Sequence, residues 1–462
     1  MPLIDPADPR PVHFVGIAGA GMSALAELLV RRGVAVSGCD AHPEGAADLV
    51  RHGVRIDAGH DPAHVEGARA LVVTSAMPKS HPELERARAL GIPVIRRAEA
   101  LGEATTGREL VAVAGTHGKS TTTVMAAEAL AAAGLDPTAL VGARVAEWGG
   151  NLRAGGDALS VVEADEYDRS FLALAPTVAV VTNLEADHLD IYRDLDDISE
   201  TFAAFARGAR FVVLCADDPG ANAMPTPSSA EVIRYGVGSP DARLLADELR
   251  SEAFGSRFLV RYDGEALGEV ALGVPGLHNV RNALAAVGAG LALGATVPAM
   301  APGLARFGGV ERRFQRLGEA QGVLVVDDYA HHPTEIAATI TAARAAYPAR
   351  RIVAAFQPHL FSRTRDFSRE FGEVLSAADV VFLTEIYPAR ERPMPGVTAS
   401  LIEDALSAAG GRLRWRGERA ALAEALAAEA RDGDLVLLMG AGDITRSGPE
   451  LLGRLGAAAP AR

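Results

Sequence analysis

Lysine is nearly absent from this chain: of 45 basic residues only Lys79 and Lys119 are lysines, and the rest are arginines. Basic charge as a whole is in deficit, with 45 Lys and Arg against 59 Asp and Glu for a formal net charge of −14. No basic block interrupts that background, which argues against a nucleic-acid binder working by phosphate neutralisation. There are two cysteines, Cys39 and Cys215, with no metal-type spacing between them. A disulfide scaffold is thereby excluded, and a reducing compartment fits. No run reaches about 18 uninterrupted apolar residues, and the N-terminus lacks a basic region followed by an apolar one, so neither membrane insertion nor secretion is expected. Internal repeats are missing too, and the one low-complexity patch is Pro-Thr-Pro-Ser-Ser at 225–229. A soluble cytoplasmic protein is expected. Phosphorylated small molecules remain open as ligands, since local loops and Mg2+ can hold them.

The 462 residues predict about three domains at roughly 150 residues each. One of the two lysines stands in Gly115-Thr116-His117-Gly118-Lys119-Ser120-Thr121, between a strand-like run, Glu109 to Ala114, and a helix-like run ending near Gly134. Strand, glycine turn and helix start form a phosphate cradle: backbone N–H groups and the helix N-terminus favour the anion, and a hydroxyl at Ser120 can ligate Mg2+. An ammonium on a flexible stem follows phosphate oxygens as a point charge, which a rigid guanidinium does not. Val113 stands where a full P-loop has its first glycine, so the form is shortened. The structural alternative is a tight turn with a solvated lysine.

Three segments alternate strand and helix. The first, 1–108, opens with the apolar run Val12 to Ile17, a glycine-rich loop with Gly16, Ala18, Gly19 and Gly21, and a helical run. Asp40 follows Gly16 by 24 residues, close to the acid spacing of dinucleotide folds. Alanine replaces the second glycine of that fingerprint, and a purely structural turn stays open as a reading. The second segment, 109–316, carries the P-loop and two apolar strands that empty into acids, Glu163-Ala-Asp165-Glu166 and Asn183-Leu-Glu-Ala-Asp187-His188-Leu-Asp190. Ligands of open α/β sheets bind at strand carboxyl ends, so these acids should meet the P-loop. Hard oxygen ligands beside a triphosphate suit Mg2+. The third segment, 317–462, has four further apolar strands and no P-loop. The fold expected is α/β in three domains: Rossmann-like, then P-loop-type ATPase with a mostly parallel sheet, then a second Rossmann-like domain.

Read in series, these motifs resemble the Mur ligases, ATP-dependent enzymes that build the peptide of bacterial cell-wall precursors. The resemblance rests on Gly16 to Ser23, Gly115 to Ser120, Glu163 to Glu166, Asn183 to Asp190 and His278-Asn279-Val-Arg-Asn282. It extends through Asp327 to Glu335, Phe356-Gln-Pro-His359 with Ser362 to Arg365, and Tyr387 to Glu391. The last three motifs are similar to the branch that joins L-alanine to UDP-N-acetylmuramate. The branch that recycles murein peptides typically has Phe-Glu-Pro-Arg at 356–359 and is the alternative.

The resemblance implies ATP and Mg2+ as cofactors and an acyl-phosphate route. Gly115 to Thr121 would cradle the phosphates, with His278, Asn279, Asn282 and Asp327 also on the nucleotide. Ser120, Glu166 and His188 would hold metal, and Lys119, His188, Glu166 and Arg313 would serve the chemistry, Arg313 by reaching the γ-phosphate on domain closure. Gly16, Ala18, Gly19, Ala20, Gly21, Met22, Ser23, Asp40 and Ser75 would hold the UDP substrate. His331, His332, His359 and Arg363 would meet the muramate or alanine carboxylate. Each histidine has a packed core role as its alternative, and helix capping is the alternative for 278–282. No nucleic-acid or membrane partner is implied, and a monomer or homodimer is expected. Several later Mur ligases use a carbamylated lysine beyond the motif histidine; no lysine follows Lys119 here, so that device is unavailable. A nicotinamide oxidoreductase would explain the glycine loop and Asp40 alone, and a P-loop kinase or switch GTPase would leave the final segment unexplained.

Overall fold

The computed structural model describes residues 3–74, 77–188, 191–252, 254–389 and 391–456. Continuous apolar runs become strands buried on both faces, the pattern of parallel sheets covered by helices. Val12–Val15, fully buried, is the middle of a five-stranded parallel sheet. It lies between Val36–Asp40 and Ala70–Val73, with Arg55–Ala58 and Val94–Arg96 at the edges. Strand order reverses beside Val12–Val15, so the glycine loop that follows it emerges at a topological switch point. The helix after that loop, Ala20–Arg31, buries Met22, Leu25, Leu28 and Leu29 along one side.

A ten-stranded sheet follows. Glu109–Ala114 runs parallel between Leu159–Glu163 and Val178–Val181. Beyond Val178–Val181 come Phe211–Cys215, Glu231–Gly236, Leu244–Glu252, Gly255–Tyr262 and Glu265–Leu272; on the other flank stand Thr138–Val145 and Gly150–Arg153. The helix Lys119–Ala132 leaves Glu109–Ala114 through the glycine turn and buries residues on nearly every side. Its four consecutive Ser and Thr residues, Ser120 to Thr123, are therefore inside the protein, where small hydroxyl side chains can bond neighbouring oxygens: the hydroxyl of Thr123 donates to the Lys119 carbonyl at 2.8 Å.

The third sheet has six strands. An antiparallel hairpin, Gln315–Ala320 with Val323–Asp328, leads into the parallel set Asp434–Met439, Arg351–Phe356, Val380–Thr384 and Leu413–Gly417. Alternation sorts these strands into two cores. Leu324, Val326, Ile352, Ala354 and Leu437 face one helical layer, while Val323, Val325, Val353, Ala355 and Val436 face the other. The described residues form two compact units. One takes residues up to 249 with 257–272 and 280–308 and contains the first sheet and most of the second; the other takes 250–256, 273–279 and 309 onward and contains the third. Among the described residues no helix is long and apolar enough to cross a membrane.

Candidate active site

The carboxyl ends of the three central strands of the large sheet bring the P-loop and both acid motifs together. Gly115 and Gly118 hold φ of 138° and 79°. A Cβ on Gly115 would lie 2.0 Å from the Thr182 hydroxyl, and one on Gly118 would lie 2.7 Å from Asn282 Oδ1, so the loop tolerates only glycine at both positions. Lys119 Nζ donates to the carbonyls of Gly115 at 2.6 Å and Thr116 at 3.1 Å, and to Glu166 Oε1 at 2.9 Å. Burial works against the lysine charge, yet Glu166 outweighs it and holds the Lys119 pKa above the usual lysine value. Burial likewise opposes the charge of Glu166, and Lys119 and His188 hold that carboxyl below its usual range. This is a buried ion pair with a third member: His188 Nε2 lies 3.6 Å from Glu166 Oε1 and 3.9 Å from Asp187 Oδ2. Burial alone would lower the His188 pKa; Glu166 and Asp187 raise it instead.

His188 has φ of 51°, uncommon for a residue with a side chain, and Asp187 Oδ1 accepts its N–H at 2.7 Å. The Tyr192 hydroxyl donates to the Glu166 carbonyl at 2.6 Å and so anchors the second acid motif to the first. Ser120 Oγ donates to Glu163 Oε2 at 2.9 Å, and the same oxygen accepts the Gly142 N–H at 2.7 Å. Glu163 is thus tied to the Ser120 hydroxyl and the Gly142 amide. The carboxylates of Glu163 and Glu166 and the hydroxyl of Ser120 are hard oxygen donors, the set Mg2+ prefers; His188 adds a nitrogen.

The structure distributes the loop amides unevenly. Thr116 and His117 donate their N–H groups to the carbonyl and side-chain oxygen of Asn183, at 3.2 and 2.8 Å. The first-turn amides of Lys119, Ser120 and Thr121, which have no intrahelical acceptor, are the donors the loop could offer to an anion. In the sequence Asn183 is one position of a motif; its contact with the loop needs the strand-to-strand register that brings residues 116 and 183 together.

In the first sheet, Cys39 O accepts the N–H groups of Gly16 and Ile17, and Asp40 accepts those of Ala18 and His42, both at 2.9 Å. Asp40 therefore fixes the glycine loop from below. Met22 is buried, and Ser23 returns its hydroxyl to the Ala20 carbonyl at 3.0 Å. Gly19 caps the helix without a side chain, and a Cβ on Gly21 would meet Arg97 Nη1 at 3.0 Å. Arg97 also pairs with Asp165 at 3.3 Å, which joins the glycine loop to the acid motif. No sequence signal marks Arg97, which sits in the pair Arg96-Arg97 outside every glycine-rich or acidic motif. Ser75 and Asp190 lie outside the described residues.

The helix Leu277–Ala292 begins with His278, Asn279 and Asn282 in its first turns, and Asn279 Nδ2 donates to the Pro275 carbonyl at 2.7 Å. In the third sheet, Asp327 is buried at a strand end, where Thr445 donates to it at 2.6 Å and Arg312 stands 3.4 Å away. Burial raises its pKa despite both partners. Arg313 lies over the Tyr329 ring and 3.4 Å from Glu335 Oε1, and Glu335 in turn stands 3.1 Å from His331 Nδ1. His331 meets His359 edge-on, and His359 stacks on Tyr387. His332 accepts the Thr334 N–H and starts the helix Pro333–Ala346, while Arg363 is buried in the helix Phe361–Leu375. The residues read from the third segment thus collect in one unit.

Three successive stretches match the Mur ligase family: its catalytic domain over residues 11–108, its middle domain over 113–290, and its glutamate ligase domain over 312–442. A UDP-N-acetylmuramate--L-alanine ligase of Kineococcus radiotolerans is 48% identical over 96% of this chain and 96% of its own, and that of Acidothermus cellulolyticus 47% over 93% and 91%. The chain belongs to the Mur ligase family. Among solved structures, a UDP-N-acetylmuramate-alanine ligase from Thermotoga maritima superposes with a TM-score of 0.83 at 29% identity, covering 96% of this chain and 98% of that one. A murein peptide ligase from Psychrobacter arcticus gives 0.71 at 27%, covering 97% and 99%. The three-sheet, mostly parallel α/β architecture of this Mur ligase is that of both neighbours.

Proposed function

We propose that this chain is an ATP-dependent ligase that joins L-alanine to the lactyl carboxylate of UDP-N-acetylmuramate, releasing ADP and phosphate, in the cytoplasmic assembly of cell-wall precursors. The observation that carries the ATP chemistry is the convergence of Lys119, Ser120, Glu163, Glu166 and His188 at the ends of three adjacent strands. The acceptor rests on relatives named as UDP-N-acetylmuramate--L-alanine ligases at 44–48% identity along nearly the whole chain.

Segment 1–108 would hold the UDP moiety, 109–316 the triphosphate, and 317–462 the amino acid. The lactyl carboxylate attacks the γ-phosphate to form an acyl phosphate; the alanine amine then displaces phosphate. Two anions must approach in the first step, so positioning and charge neutralisation dominate. Lys119, freed from Glu166, places its ammonium on the phosphates beside the first-turn amides. Ser120 and Glu166 with His188 would hold Mg2+, which supplies charge neutralisation at the phosphates. Glu163 orients the Ser120 hydroxyl. Arg313 and the His331–His359–Tyr387 group would handle the carboxylates, and closure would shield the acyl phosphate from water.

The recycling branch remains the second reading, and Gln357 weighs against it. Its amide donates to Asp443 at 2.8 Å and accepts the Ile444 N–H at 3.0 Å. A glutamate there would set a carboxylate against Asp443. Phosphate release from ATP is the deciding assay. Strict dependence on both UDP-N-acetylmuramate and L-alanine is expected; dependence on L-Ala-γ-D-Glu-meso-diaminopimelate in place of alanine would overturn the reading.

A further inference from the structure

A cluster of soft and borderline donors lies beneath the glycine loop, apart from the ATP site. Cys39 is the last residue but one of the strand Val36–Asp40, His60 stands in the loop after Arg55–Ala58, and Glu83 is in the first turn of the helix Pro82–Ala89. Cys39 Sγ is 3.3 Å from Glu83 Oε2 and 3.4 Å from His60 Nδ1, and His60 Nδ1 is 3.5 Å from the same Glu83 oxygen. Ligands 2.0–2.3 Å from a tetrahedral centre are spaced about 3.3–3.8 Å from one another, so this triangle has nearly the edge lengths of a metal site.

Two more imidazoles border the triangle. A ligand nitrogen of His13 lies within 4.8 Å of both Cys39 Sγ and a Glu83 oxygen, and one of His81 within 4.8 Å of both His60 and Glu83. His13 is fully buried; its Nδ1 bonds Ser37 at 2.9 Å and its Nε2 has no hydrogen-bond partner, while the buried Nδ1 of His81 faces Glu83 Oε2 at 3.8 Å, beyond hydrogen-bond reach. Unpartnered buried nitrogens are costly unless something else binds them. The Glu83 side chain is wholly buried, and among the described residues its ion-pair partners are three histidines, His60, His64 and His81, with no lysine or arginine. A buried carboxylate without a permanent cation asks for one.

We infer that this cluster binds a thiophilic divalent cation of the zinc class, held by Cys39, His60 and Glu83 and completed by His13 or His81. Sulfur and imidazole ligands select such an ion over Mg2+. On binding, the Cys39 thiol gives up its proton to solvent, and the thiolate and the Glu83 carboxylate then balance the two positive charges. His60 is exposed, which provides the entry path. Because the Cys39 carbonyl holds Gly16 and Ile17, the ion would clamp the base of the glycine loop.

The test uses the full-length protein, stripped with chelator and titrated with Co2+. A thiolate-to-cobalt charge-transfer band saturating at one equivalent is expected, as is one equivalent of zinc retained after dialysis. Cys39→Ser should abolish the band and Cys215→Ser should keep it, since the chain has no third thiol; His81→Gln or His13→Gln should weaken Co2+ binding on the order of tenfold or more. Co2+ held at the ATP site gives no such band, because no cysteine is there. Wild-type protein that shows no band and retains no zinc, or a band that survives Cys39→Ser, would overturn the inference. The wild-type titration decides it even if a variant fails to fold.

Discussion

Lys119 shows how much a single residue type can carry. Its ammonium is already caged by two carbonyls and the Glu166 carboxylate, so a nucleotide exchanges one set of oxygens for another and needs a point charge to do so. A guanidinium is wider and planar and cannot turn within that cage. Lys119→Arg should therefore lower turnover by about 10²-fold or more, read as phosphate release, while Lys79→Arg should leave it unchanged. Asp328 supplies the pH prediction. Burial pushes it up to about 6, although Arg313 and the N–H groups of Ala330 and Phe314 pull the other way. A carboxyl whose folded pKa is raised contributes stability that is complete below its unfolded value, 3.8, and is lost as pH rises through about 6. Asparagine mimics the protonated form. The stability of Asp328→Asn relative to wild type should thus rise between pH 4 and pH 7, by on the order of 2 kcal/mol in urea unfolding, and a pH-independent difference would refute the assignment.

At the level of elements, Arg97 makes the helix Arg97–Thr105 a brace between the glycine loop and the acid motif. Arg97→Ala should raise KM for the UDP substrate by about tenfold with kcat changed less than threefold, since one charge-assisted contact of roughly 1.5 kcal/mol is lost. Steady-state kinetics on each substrate would separate that outcome from general unfolding. Strands with unbroken apolar runs were legible: Glu109–Ala114 falls where the sequence predicts it. Leu244–Glu252 was not, because it lies toward the sheet edge and only Leu244 and Ala246 are buried, ahead of charges such as Glu248, Arg250 and Glu252. The helix after the glycine loop begins at Ala20, inside the loop motif, because Gly21 and Ser23 mask its first turn in the sequence. In the site, Lys119, Ser120, Glu166 and His188 were readable from local motifs, whereas Arg97 and Asn183 act across 68 and 66 residues of chain. The Cys39 cluster was invisible for the same reason: its donors have no spacing, only a shared place in the fold.

For the molecule as a whole, the described chain is two units, and the residues proposed for phosphate and for the amino acid are divided between them. Arg313 belongs to the second. If it meets the γ-phosphate only in the reacting complex, Arg313→Ala should lower kcat by about 10²-fold and leave nucleotide affinity within about twofold. Calorimetric titration of an ATP analogue alongside turnover would check this, and unchanged turnover would remove Arg313 from the mechanism.

The scarcity of lysine has a practical consequence for watching the protein move. A lysine-specific endoprotease has two bonds to cut, one after the exposed Lys79 and one after Lys119, whose side chain is 14% exposed. Scission at 79 needs only a surface turn, whereas scission at 119 requires the phosphate loop to come apart. Two fragment sizes on a gel thus form a built-in clock for local opening of the nucleotide site, and its slowing would register ligand occupancy without any label.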